Sequence, residues 1–118
     1  MAVGIETKSI YDDQTPDEGV RLLIMRRWPR GIKKTRINEW DKDLAPSPQL
    51  LQDWTRKKIP FKEFRRRYLG EMRASLQRDK IKALAKRAGK EKITLFCHEE
   101  EDTYCHRKML KELLDRCR

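Results

Sequence analysis

The chain has 118 residues, with 29 Lys or Arg against 19 Asp or Glu, for a formal net charge of +10. That length suits one domain, and an apolar share of 37% gathered in clusters excludes wholesale disorder. No apolar run is long enough for a membrane span or a signal peptide, so a cytoplasmic protein with no membrane partner is expected.

Residues 5–11 mix β-branched and aromatic side chains and predict a first strand. Asp12 to Gly19 is rich in turn formers and predicts a loop. Val20 to Met25 is a nearly continuous apolar run, the pattern of a strand buried on both faces. Trp28-Pro29-Arg30-Gly31 stops it, because Pro29 cannot donate to a ladder and Gly31 permits a turn. Residues 32–46 predict a loop with a short helix near Asn38–Lys42. Ser47-Pro48 predicts a helix start, with Ser as cap and Pro at the first helical position, and Leu50, Leu51 and Trp54 supply its apolar side.

Pro60 opens the next helix, in which Phe61, Phe64, Tyr68, Met72 and Leu76 recur at spacings of three and four. Run straight to Ala88, it would be roughly 43 Å long, more than a domain of this size covers. A break is therefore expected near Arg78-Asp79, with Asp79 capping a second helix that Gly89 ends. Lys92–Cys97 predicts a third strand and His98–Thr103 a short acidic loop. Asp102 or Thr103 can cap a last helix with Met109, Leu110, Leu113 and Leu114 on its apolar side. Strands separated by helices imply crossovers. The expected fold is α/β, a small, largely parallel sheet of three to four strands covered by helices, in one domain over residues 1–118.

The charge is uneven. From Trp54 to Lys92 there are 15 basic and 4 acidic residues, a net of +11, so the whole excess sits on one helical segment. Such a segment is either a solvated surface or an attractor of polyanions, nucleic acid among them, with Lys62, Arg66 and Arg73 beside the apolar stripe as contacts. One Asn and four Gln against so many ionic residues is the pattern of heat-adapted proteins.

In open α/β sheets, ligands bind beyond the carboxyl ends of the strands. Two segments leave strands there: Met25–Gly31, and Cys97-His98-Glu99 continuing to Cys105-His106-Arg107. If the second and third strands are parallel neighbours, the two segments meet. Arg26 and Arg30 flank Trp28 and can clamp an anion bidentately or pair with Glu39, Asp41 and Asp43. The tryptophans Trp28, Trp40 and Trp54 suit packing better than base stacking. Cys105 and His106 fall in the first turn of the last helix, where unpaired N–H groups and the dipole favour a thiolate or a phosphate. Glu100, Glu101 and Asp102 oppose both.

Four readings of the sulfur segment stay open: Cys97 as a core residue, a Cys97–Cys105 bridge, zinc on Cys97, His98, Cys105 and His106, and a catalytic thiol. The adjacent-pair spacing is not that of a zinc finger, so no metal and no cofactor is assigned. The phosphatase spacing fails too, since Thr103 and Lys111 stand where an Arg is needed. No Gly-rich phosphate loop or Ser-His-Asp set is present.

Arg26–Gly31, then Trp40-Asp41-Lys42-Asp43-Leu44-Ala45-Pro46-Ser47, then Phe61–Tyr68 resemble the YeaO-like family, a domain of unknown function, over about Ile10 to Leu114. Cys97-His98-Glu99 with Cys105-His106-Arg107 resembles the cysteine motif of the wider group. The chain departs from the family at Met25, where an acid usually precedes the first Arg. The resemblance implies an α/β fold and a cytoplasmic protein, and no substrate. The leading expectation is a module that binds an anion, a phosphorylated metabolite or nucleic acid, through Arg26, Arg30 and Arg107, with Trp28, Cys97 and Glu99 beside it. The alternatives are a thiol-dependent enzyme with Cys105 as nucleophile, His106 or His98 as base and Arg26 or Arg30 as substrate clamp, and a structural or partner-binding subunit.

Overall fold

The computed structural model describes residues 4–97 and 105–117. Four parallel strands, β1 (Gly4–Ser9), β2 (Val20–Leu23), β3 (Glu39–Trp40) and β4 (Lys92–Cys97), form one sheet in the order β1-β4-β2-β3. Four helices accompany it: α1 (Pro48–Thr55), α2 (Phe61–Glu71), α3 (Ser75–Ala88) and α4 (His106–Cys117). None is long and apolar enough to cross a membrane among the described residues.

The two faces of the sheet are covered differently. Ile5, Leu22, Ile93 and Leu95 alternate onto one face and pack against residues of all four helices. Leu23 and Phe96 point the other way, where Ile10, Met25, Trp28, Ile32 and Ile37 from the loops cover them. An ion cluster shares this loop-covered side. Glu18, 1% exposed, accepts from Lys8 at 2.5 Å and from Arg36 at 2.7 Å, and Arg36 also stands 4.7 Å over the Phe96 ring. Burial alone would raise the Glu18 carboxyl, but the hydrogen bonds from Arg36 and Lys8 outweigh it and hold it below the usual carboxylate range. The neighbouring Gly19 has φ +65, and a Cβ there would stand 2.3 Å from the Lys92 carbonyl oxygen, so only glycine admits the chain between this cluster and β4.

Local signals set most elements. Ser47 Oγ accepts from the Leu50 amide at 3.2 Å, Pro48 occupies the first turn, and Glu71 binds the Ser47 amide and hydroxyl, tying α1 to the end of α2. β1 ends two residues sooner than its composition suggests, although the Ile10 amide still reaches the Cys97 carbonyl. β2 likewise ends at Leu23, with the Ile24 amide bonded to the Phe96 carbonyl.

Two expectations are corrected. No helix forms at Asn38–Lys42. Glu39–Trp40 is the edge strand β3, held because the Asn38 and Asp41 amides donate to the carbonyls of Arg21 and Leu23, and a single 3-10 turn follows at Lys42–Leu44 with Asp41 as its cap. The long helix breaks at Met72–Ala74, not at Arg78-Asp79, and Ala74 rather than Asp79 stands at the N-cap of α3. The reason is angular. Nine positions separate Met72 from Ile81, about two and a half helical turns, so one continuous helix would point them to opposite sides. Both are core residues, so the axis must change between them. Leu76, beyond the break, is left 52% exposed.

Candidate functional site at the carboxyl edge of the sheet

β2 and β4 are parallel neighbours, so the chain leaving β2 emerges beside the end of β4. Residues of the Met25–Arg30 segment and the Cys105-His106 pair line one cavity of about 320 Å³. That volume lies in the range of small-molecule sites, about 300–1,000 Å³. Pro46, Leu51, Trp54 and Phe64 give it an apolar wall, and Trp54 stacks on Phe64 with centroids 5.1 Å apart.

Arg26, Arg27 and Arg30 bring the charge. Arg26 is half-buried, and its Nε and Nη2 donate to the carbonyls of Pro46 and Ala45 at 3.1 and 3.4 Å. Arg27 and Arg30 are exposed. The acids that sequence reasoning offered them are engaged elsewhere: Asp41 and Asp43 bind Lys80, and Glu39 binds Arg87. Among the described residues, none of the three arginines forms an ion pair.

Cys105 and His106 are buried at the inner end of the cavity. The His106 ring donates from Nε2 to the Ile24 carbonyl at 2.5 Å, since a carbonyl oxygen can only accept. Its Nδ1 stands 3.8 Å from Cys105 Sγ, and the ring packs against Tyr68. Burial pushes the Tyr68 phenol well above its ordinary range, so it remains a neutral donor to the Leu44 carbonyl at 2.8 Å. Cys97 lies behind, fully buried at the end of β4, with its sulfur in bonding contact with that of Cys105. The two sulfurs and the His106 ring nitrogen lie within 4.8 Å of one another, and two sulfurs with an imidazole are soft-metal ligand types.

Among the described residues, the remaining sequence-derived ones fall outside the cavity. Arg107, 1% exposed, donates from Nη1 to the Lys8 carbonyl at 3.2 Å and to the carbonyl and sulfur of Cys97 at 3.4 Å, pinning α4 to the ends of β1 and β4. Trp28 packs on the loop-covered side, donating to the Ile32 carbonyl and meeting Trp40 edge-on at 5.4 Å. His98, Glu99 and the proposed cap at Asp102 or Thr103 lie outside the described residues. Lys62 and Arg73 are exposed on or just after α2, and Arg66 forks onto Glu63 at 2.6 and 2.8 Å. Among the described residues, six of the 15 basic residues between Trp54 and Lys92 are in ion pairs: Arg65, Arg66, Arg67, Lys80, Arg87 and Lys92. Sequence reasoning passed over Arg27 and Trp54 as lining residues. Arg27 carried a signal, its place inside the basic run between Arg26 and Arg30, whereas Trp54 gave none beyond helical spacing.

Comparison with known proteins adds family but no substrate. The family model for the active DUF488-N3 subclade matches residues 5–117. The chain is 35% identical over 114 residues to the uncharacterized protein YeaO of Escherichia coli K12, covering 95% of this chain and 97% of that one. It is 32% identical over 113 residues to uncharacterized protein Rv3073c of Mycobacterium tuberculosis H37Rv, covering 94% and 93%. No solved structure matches it. With agreement along nearly its whole length, the chain belongs to the DUF488 family, within the active DUF488-N3 subclade.

Proposed function

We propose that the chain binds a small organic anion with an apolar body at the carboxyl edge of its sheet. The observation that carries this reading is one cavity lined both by Arg26, Arg27 and Arg30 and by Trp54 and Phe64. The arginines meet the anionic head, where charge-assisted hydrogen bonds are strongest, and the aromatic wall takes the rest of the ligand. A cavity of this size favours a small molecule over nucleic acid, and the basic α2–α3 surface then serves only as long-range attraction.

Anilinonaphthalene sulfonate, an aromatic anion, is a suitable probe. The prediction is one binding site per chain, competed by inorganic phosphate and weakened at least about tenfold in an Arg27→Ala/Arg30→Ala double variant. Alanine at Lys62, Arg66 and Arg73 should leave affinity within about twofold, because screened surface charge contributes little at a distance. Binding insensitive to Arg27 and Arg30 would refute the reading.

The alternative, a nucleophilic Cys105, has one observation in its favour, the facing Nδ1 of His106. Against it, the sulfur is joined to Cys97 and nearly inaccessible. After reduction this alternative expects faster alkylation of Cys105 than of the exposed Cys117 at neutral pH, and equal or slower labelling ends it.

A further inference from the structure

We infer that Cys97, Cys105 and His106, once the cysteine pair is reduced, hold a zinc ion whose fourth coordination position opens into the arginine-lined cavity. The donor atoms converge within 4.8 Å and are 0%, 3% and 8% exposed in that order. Two thiolates and an imidazole form a soft set that selects zinc over magnesium or calcium.

Two of the three donors have an outer partner that orients them. The Ile24 carbonyl takes the Nε2 proton of His106, so in the neutral ring the lone pair is on Nδ1, the nitrogen that faces Cys105. A ring N–H given to a backbone carbonyl is the usual support of a metal-binding histidine. Arg107 Nη1 donates toward Cys97 Sγ at 3.4 Å, an outer contact that orients the sulfur.

The Cα atoms of Cys97 and Cys105 are 7.8 Å apart. Among the described residues three donors converge, and Cys105 and His106 also line the cavity, which puts the cavity beside the fourth position. Three protein ligands with one open position is the composition of a reactive zinc site, whereas structural sites close all four.

The chemistry balances. A dithiol reductant supplies two electrons and two protons to the Cys97–Cys105 bond and becomes a disulfide itself. Zinc then displaces the two thiol protons to solvent. This inference concerns the floor of the cavity proposed above for an anion, and it holds whether or not that anion binds.

The test uses the full chain, reduced with a phosphine, stripped with a chelator and titrated with cobalt(II). The expected result is a sulfur-to-cobalt charge-transfer band and an intense tetrahedral d–d envelope, both complete at one equivalent and abolished by one equivalent of zinc. Zinc should shield Cys97 and Cys105 from alkylation and leave Cys117 reactive. Cys117→Ser should keep the spectrum, while Cys97→Ser, Cys105→Ser and His106→Gln should each weaken cobalt binding at least about tenfold, as loss of a ligand does. If those variants unfold, the native chain's spectrum and its alkylation pattern decide alone. A fully reduced native chain that gives no charge-transfer band, or that labels Cys97 and Cys105 alike with and without zinc, overturns the inference. Neither readout involves an anion, so its failure is distinct from loss of arginine-dependent dye binding.

Discussion

Two cavities of this molecule differ in how their charges are met. The one beside β3 is larger, about 570 Å³, and is lined by Glu39, Asp41, Asp43, Lys80 and Arg87. Its charges answer one another: Lys80 reaches Asp41 at 3.0 Å and Asp43 at 2.7 Å, and Arg87 forks onto Glu39 at 3.0 and 2.7 Å. Lys80 accordingly holds the Asp43 carboxyl below its usual range, and Arg87 does the same for Glu39. The cavity at the carboxyl edge is smaller, about 320 Å³, but its arginines form no ion pair among the described residues, Arg26 acting on Asp43 only at longer range, and buried sulfur and imidazole line it. Volume alone would favour the cavity beside β3, whereas charge favours the one at the carboxyl edge. A charge already matched within the fold stabilises the fold, and an unmatched one beside an apolar wall remains available to a ligand.

Substitutions can break or sharpen that contrast. The largest effect is expected where a matched charge is most buried. Glu18→Gln should cost about 3 kcal/mol in denaturant unfolding, because it leaves Lys8 and Arg36 facing an uncharged partner. The folded value of Glu18 lies below its unfolded one, so its contribution is complete above the ordinary carboxylate range and disappears as pH falls through the depressed folded value. The variant should therefore lose stability less steeply with acid than the parent. An unchanged acid limb would show that Glu18 is not the group responsible.

Next in size is the unmatched pair. Arg27→Ala/Arg30→Ala should lower dye affinity at least tenfold, about 1.4 kcal/mol, with unfolding shifted by less than about 0.5 kcal/mol. A large stability loss instead would move these arginines into the structural class. Lys80→Ala should do the reverse, costing up to about 1 kcal/mol of stability and leaving dye binding within twofold. Dye binding that falls with Lys80 would erase the distinction between the cavities. The smallest change belongs to Arg66→Ala, whose pair with Glu63 on the open face of α2 is worth about 0.3–0.5 kcal/mol. Equilibrium unfolding should place it at the edge of detection.

How legible each feature was depends on how local its cause is. Strand β4 is read from Lys92–Cys97 without shift, because a continuous apolar run has few other places to go in a small α/β domain. The Ser47-Pro48 start of α1 is equally direct, since the cap bonds within its own turn. β3 was not legible. Glu39–Trp40 is a strand only because Arg21 and Leu23 offer it carbonyls, and nothing in two residues announces a partner seventeen positions away. The helix break was present in the sequence as the nine-residue interval between Met72 and Ile81, but Asp79 offered a more familiar cap and drew the expected break toward itself. At the site, the meeting of Arg26–Arg30 with Cys105-His106 follows from strand order. Arg107 and Trp28 could not be placed from spacing, because their directions depend on which face and which strand end they meet.

By itself the sequence determined where apolar runs, caps and turn residues punctuate the chain, and therefore the strands β1, β2 and β4, the helices, and the concentration of positive charge on α2 and α3. Those features depend on forces acting within a few residues. The tertiary structure alone decided which acids neutralise which bases, that one face of the sheet is covered by helices and the other by loops around Glu18, and that two sulfurs and an imidazole converge behind three arginines. Those depend on contacts between residues tens of positions apart, and only the order and register of the strands bring such residues together.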